Sequence, residues 1–182
     1  MTRPSVYLAG PDVFRPDAVE IGRAKVALCA EYGFEGLYPL DNEIDGPKHE
    51  LDTLIYRGNM GMIRRADFGI FNLSPYMGLS ADVGTAFELG AFAYAGKPGW
   101  GHTTDGRTIL ERAQGLYDLR PIDGRGWVAP DGNQIEDFGN HDNLMIDGYL
   151  DEGANVFVVD TDVLSGLRRC LDLARRYFAA AA

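Results

Sequence analysis

Apolar positions along this chain fall into short continuous runs and longer stretches at helical spacing, and the two kinds alternate. Val6-Tyr7-Leu8-Ala9 is a short run closed by Gly10-Pro11, which predicts a buried strand and a tight turn. Pro16 opens a helical stretch to about Tyr32, with Val19, Val26, Leu28 and Ala30 apolar and Gly33 as its stop. Phe34 to Leu40 reads as a second strand, closed by Pro39 and the acidic turn Asp41-Asn42-Glu43. A second helix is predicted over His49–Ala66, with Leu51, Leu54, Ile55, Met62 and Ile63 at helical spacing. Asp67 to Leu73 is a third strand broken by Ser74-Pro75, and Ala81 to Ala95 a third helix ended by Gly96-Lys97-Pro98. Ala154 to Val159 reads as a last strand. Asp162 to Ala180 reads as a C-terminal helix with Asp162 as its cap, running into a frayed, low-complexity Ala179–Ala182 tail.

Residues 97–142 break the rhythm. They are rich in Gly, Asp and Pro, and only Thr108 to Tyr117 has a helical pattern. They read as a loop-rich insertion, and a long loop in a compact domain is more often functional than idle. The alternation elsewhere predicts an α/β fold: an open parallel β-sheet of about five strands with helices on both faces. Such sheets bind ligands beyond the carboxyl ends of their strands. Those ends are Ala9-Gly10-Pro11, Tyr38-Pro39-Leu40 and Asn72-Leu73-Ser74-Pro75.

A length of 182 residues with 46% hydrophobic content fits one domain over residues 1–182, carrying the 97–142 insertion. The formal net charge of −10 repels phosphate backbones, so nucleic acid is not an expected partner. Cys29 and Cys170 lie far apart with no CxxC pair, as for two buried, reduced thiols. The first residues lack the apolar core and cleavage site of a signal peptide, and no apolar run approaches membrane-spanning length. No membrane partner is expected, and the expected location is cytoplasmic.

The segment from Ser80 to Tyr94 carries most of the chemistry. Between Ala81 and Ala95 the ionisable acids are Asp82 and Glu88. A helix apolar on nearly every face is normally buried, and a buried carboxylate is costly unless paired or hydrogen-bonded. Glu88 therefore either answers a structural need, such as capping a neighbour's amides, or performs chemistry; physics alone leaves both open. Asp82 has a structural reading as the helix N-cap, accepting from the amide of Thr85 or Gly84. Gly84 and Gly90 each cost ~1 kcal/mol against alanine inside a helix. They point to tight packing on the sheet or to room for a sugar ring beside Glu88.

Three motifs occur in order: Tyr7-Leu8-Ala9-Gly10-Pro11-Asp12-Val13-Phe14; Ser74-Pro75 followed by Ala81-Asp82-Val83-Gly84-Thr85-Ala86-Phe87-Glu88-Leu89-Gly90; and Asn143-Leu144-Met145-Ile146. Together they resemble the nucleoside 2-deoxyribosyltransferase family, over most of the chain from Tyr7 to about Val159. The resemblance implies a flavodoxin-like fold and a homo-oligomer with active sites shared between subunits. It implies transfer of a 2-deoxyribosyl group between nucleobases of 2′-deoxynucleosides. It casts Glu88 as nucleophile, Asp82 as the acid that contacts and protonates the departing base, and Tyr7 as the residue that positions the nucleophile. Asn143 is expected to reach the sugar in a neighbouring subunit's site. Gly10, Phe14 and Met145 lie in the matched motifs and are expected to line the substrate site. Asn59 falls where many members carry an aspartate that contacts the base, a departure that bears on base preference.

The residue types fit this chemistry independently. Retaining glycosyl transfer needs one carboxylate to attack C1′ and a second group to protonate the leaving nitrogen. No metal or cofactor is called for. The intermediate must be shielded from water, and Phe14, Trp100, Trp127 and the 97–142 insertion are candidates, although each aromatic also reads as ordinary core or interface. Gly124 to Ala129 matches a dinucleotide-binding pattern by letter, but Pro130-Asp131-Gly132 forbids the helix it should open. His49, His102 and His141 are too scattered for a metal site. Two other functions stay open: an N-glycosidase hydrolysing (deoxy)nucleosides or deoxynucleoside 5′-monophosphates, and a non-catalytic nucleoside-binding domain. Asp12 stands in the first loop where a phosphate cradle would need serines, which speaks against a monophosphate hydrolase.

Overall fold

The computed structural model describes residues 3–41, 45–152 and 157–180. In chain order the elements are β1 (Ser5–Ala9), α1 (Ala18–Glu31), β2 (Glu35–Leu37), α2 (Leu51–Arg65), β3 (Phe68–Asn72), α3 (Val83–Tyr94) and β4 (Gly99–Thr103). They continue with α4 (Ile109–Leu116), β5 (Arg120–Ile122), β6 (Gly126–Val128), α5 (Leu144–Glu152), β7 (Phe157–Val159) and α6 (Val163–Ala180). Five strands form one parallel sheet in the order β2-β1-β3-β4-β7. This is the flavodoxin-like order, with its reversal between β1 and β3.

The central strands are buried on both faces, so they read as continuous apolar runs. Their period of two still sorts the side chains. Val6, Leu8, Phe68, Ile70 and Trp100 pack with Leu28, Leu167 and Leu171 from α1 and α6. Tyr7, Ala9 and Phe71 face the other way, onto Met62, Leu89, Phe92, Ile146 and Leu150 from α2, α3 and α5. The alternation along β1 thus delivers Tyr7 to the face that α3 covers. Cys29 and Cys170 are both free and buried.

The 97–142 stretch is not only loop. It opens with β4, fully buried and paired between β3 and β7. Alternate glycines hid this strand from periodicity: Gly99 and Gly101 carry no side chain because a Cβ there would strike Tyr149 and Phe71, or Leu150 and Leu73. Trp100 is 2% exposed in the α1/α6 core, so it does not shield a substrate. β5 and β6 form an antiparallel hairpin, so Gly124 to Ala129 follows no strand-to-helix turn. A helix not anticipated, α5, follows Asn143. The second strand is shorter than expected, because Pro39–Asp41 turns into a 3-10 helix. Of the predicted last strand, 154–156 lie outside the described residues, as do Asn42 and Glu43 of the acidic turn.

The expectation that α3 is buried all round is overturned. Val83 is 85% exposed and Tyr94 98%, and Phe87 and Gly90 lie on the same open face. A Cβ at Gly90 would meet nothing within 4 Å, so its lack of side chain serves no close approach within this chain. No described helix is long and apolar enough to cross a membrane.

Candidate active site

A cavity of about 510 Å³ opens at the carboxyl ends of β1 and β2, between α2 and α3. Its wall takes Gly10 and Phe14 from the first loop, Pro39 and Leu40 from beyond β2, Leu51, Ile55 and Asn59 from α2, and Asp82, Gly84, Thr85 and Glu88 from α3. Leu51, Ile55 and Asn59 recur every four residues, which puts them on one face of α2. In the sequence Leu51 and Ile55 read only as part of a helix face.

Glu88 lies on the inner side of α3, and the Tyr7 hydroxyl donates to its Oε1 at 2.5 Å. Oε2 accepts no hydrogen bond from the described residues. Burial pushes the Glu88 carboxyl up to about 7; the Tyr7 bond opposes this, the negative Asp82 adds to it, and Asn59 pulls it back down. Asn59 acts on Glu88 through its side chain at close range, and its Oδ1 is buried without a partner among the described residues. Tyr7 is itself held far above the ordinary phenol range, first by burial and then by the facing Glu88 charge, so it stays a neutral donor.

Asp82 caps α3. Its Oδ2 accepts from the Thr85 amide at 3.0 Å and the Thr85 hydroxyl at 3.2 Å, and Oδ1 takes no bond from the described residues. The structural reading of Asp82 is therefore correct, and it leaves one oxygen for the cavity that the same residue lines. Gly84 keeps this corner open, since a Cβ there would lie 3.0 Å from Asp82 Oδ2.

The entry to α3 is braced by residues that motif reading missed. Asp142 accepts from the Ser80 hydroxyl and from the Ala81 amide at 2.8 Å. Arg112 is 4% exposed and donates to the carbonyls of Leu79, Arg107 and His141. The 97–142 stretch thus holds the site from behind, and contributes no residue to the cavity wall of its own chain. Trp127 sits on the hairpin strand β6, away from that wall.

Tyr7, Gly10, Phe14, Asn59, Asp82 and Glu88 converge; Asn143 and Met145 do not. The Asn143 amide donates to Glu136 Oε1 at 2.6 Å, while its Oδ1 accepts from the Met145 amide at 3.1 Å. Met145 is 73% exposed. Among the described residues no three His, Cys, Asp or Glu side chains group to hold a metal ion.

Fold and site together define an α/β protein with a cavity at the carboxyl edge of a flavodoxin-like parallel sheet, built around a buried carboxylate. The profile of the family described as nucleoside 2-deoxyribosyltransferase matches residues 6–145, and the chain belongs to that family. The chain is similar to a 2-desoxiribosyltransferase from Leishmania mexicana, with 30% identity, TM-score 0.69, and coverage of 93% of this chain and 97% of that one. It is 34% identical to an uncharacterized protein of Schizosaccharomyces pombe over 95% of this chain and 90% of the relative. A conserved protein from Enterococcus faecalis shares the fold at 18% identity and TM-score 0.58, covering 92% of this chain and 98% of its own.

Proposed function

We propose that this protein transfers a 2-deoxyribosyl group between nucleobases of 2′-deoxynucleosides through a covalent intermediate on Glu88. The observation that carries the reading is the Tyr7–Glu88 pair, a buried carboxylate with Oε1 held at 2.5 Å and Oε2 left for the cavity. Membership of the family supports it.

In the first half-reaction Glu88 Oε2 attacks C1′ as the C1′–N bond breaks. Asp82 passes a proton to the departing base nitrogen. In the second, a nitrogen of the incoming base attacks C1′, the C1′–O bond to Glu88 breaks, and the N–H proton returns to Asp82. Acid–base assistance of this kind contributes roughly 10²–10⁴ in rate. A carboxylate raised by burial to about 7 is more basic than a solvent-exposed one. Carboxylates and a phenol carry each step, so the scheme draws on no cofactor. Asn59 lines the cavity, and its amide, both donor and acceptor, suits the edge of a base.

The first loop disfavours a monophosphate donor. Asp12 is buried against Lys25, so the Lys25 ammonium is not free to meet a phosphate. Asn143 is half-buried beside the exposed Met145, and α3 presents Val83, Phe87 and Tyr94 to solvent. An apolar helix face beside an active site suits burial against another copy, and we extend the proposal to a homo-oligomer whose sites are completed by Asn143 of a neighbour.

The test is incubation with deoxyinosine and free adenine, followed by chromatography. Deoxyadenosine is the expected product. Hypoxanthine without deoxyadenosine would replace transfer with hydrolysis, and no turnover over a wide donor panel would leave only a binding role.

A further inference from the structure

The Gly10–Phe14 loop rests on a buried ion pair that the proposed chemistry does not use. Lys25 on α1 and Asp12 are each 2% exposed, and the Lys25 ammonium contacts Asp12 Oδ2. The Asn72 amide at the end of β3 donates to both Asp12 oxygens, at 3.0 and 3.2 Å. Asn72 Oδ1 accepts from the Ser74 amide at 3.1 Å and hydroxyl at 2.7 Å, and Ser74 Oγ accepts from the Thr104 amide at 3.0 Å. One polar chain thus ties the carboxyl ends of β1, β3 and β4 to α1. Desolvating two charges costs several kcal/mol per ion, so such a pair is weak evidence of stabilisation and asks for another reason.

The reason lies two residues on. Asp12 and Phe14 share the 3-10 turn Pro11–Phe14, with the Arg15 amide closing onto Asp12 O at 3.1 Å. The Phe14 ring stacks on Tyr76 at 5.1 Å and 22°. It forms part of the wall of the Glu88 cavity, and also of a second cavity of about 220 Å³. The second cavity is lined by Asp12, Asn72, Ser74 and Thr104 among others, and is open to water. Phe14, 59% exposed, is the partition between this cavity and the one that holds the nucleophile.

We propose that Asp12 and Lys25 are positioning residues that hold Phe14 as this partition, and so decide whether the glycosyl–enzyme passes its sugar to a base or to water. The inference rests on the transfer reading above. In both outcomes the C1′–O bond to Glu88 breaks. A base nitrogen or a water oxygen forms the new bond to C1′, and the proton lost goes to Asp82. With Asp12 unanchored the turn loosens, Phe14 leaves Tyr76, and water reaches C1′.

The test is the ratio of hydrolysis to transfer at fixed acceptor concentration, in the wild-type protein and in Lys25→Met/Asp12→Asn, which removes both charges together. Both products come from one intermediate, so the ratio does not depend on how much protein is folded. The expected result is a rise of about tenfold, the effect of a ~1.4 kcal/mol change in relative barriers. Phe14→Ala should give a similar rise, and adding the pair substitutions to Phe14→Ala should add little, because residues acting through one another are not additive. Asp12→Asn alone is read beside them, since it keeps an acceptor for both neighbours and serves if the double variant does not fold. An unchanged ratio in these variants, or effects of the pair and of Phe14 that multiply, overturns the positioning role and leaves the transfer reading intact. Absence of transfer by the wild-type protein overturns that reading, and this inference with it.

Discussion

Glu88 is the residue on which the account turns, and its environment makes its ionisation measurable. Burial holds the carboxyl up to about 7, so kcat/KM for a deoxynucleoside should rise with pH through that value as the nucleophile deprotonates. Tyr7→Phe removes the bond that opposes the rise, and Asn59→Asp adds a like charge; both should move the acid limb to higher pH. A pH–rate profile unmoved in both variants would separate Glu88 from the rate. The same shift has a thermodynamic side. A carboxyl whose folded value lies above its ordinary 4.5 binds more protons when folded, so stability falls as pH rises through about 4.5 to 7 and the full penalty remains above it. Glu88→Gln should therefore be more stable than the wild-type protein in urea at pH 8, by about 1–3 kcal/mol, while losing transfer. Glu88 was legible in the sequence because it is a lone acid deep in an apolar helix. Asn59 was legible only by position, since nothing in its neighbours marks an amide whose oxygen is left unpaired.

At the scale of elements, Asp82 serves α3 as cap while offering its other oxygen to the cavity. The two duties can be parted. Asp82→Asn keeps a capping acceptor and should hold its stability within a few tenths of a kcal/mol; Asp82→Ala should lose ~1 kcal/mol. Both should lose the acid and with it transfer from donors whose base leaves poorly, by roughly 10²–10⁴. Full activity in the stable Asn variant would deny Asp82 the proton transfer. Strands with side chains on both faces, β1 and β3, announced themselves as apolar runs. β4 did not, because α5 packs so closely on Gly99 and Gly101 that the residues which would have signalled a strand are absent. The braces on α3 were equally silent: Asp142 and Arg112 act over 61–62 and 33 residues of separation, largely on backbone groups that carry no sequence signal.

For the whole molecule, alternation and connection rules gave the parallel sheet covered on both faces, and with it the edge where the cavity opens. They gave no account of α3's outer face. A helix apolar all round should be buried, and within one chain this one is not. The proposed homo-oligomer would bury that face against another copy. Phe87→Glu, on the face where Phe87 meets Tyr56 at 6.4 Å, should shift the protein toward monomer in light scattering and lower transfer with it, since Asn143 would no longer reach a neighbouring site. A wild-type protein that is monomeric and active would contradict the shared site.

The central claim is that the sugar travels on Glu88. Incubation with a 2-deoxy-2-fluoroarabinosyl nucleoside, whose fluorine destabilises the oxocarbenium-like transition state and slows release, should leave a glycosyl adduct on the intact protein. Peptide mass mapping should place it on Glu88, and addition of a free base should remove it with formation of the new nucleoside. Turnover with no adduct at any time, or an adduct on another residue, would contradict the account.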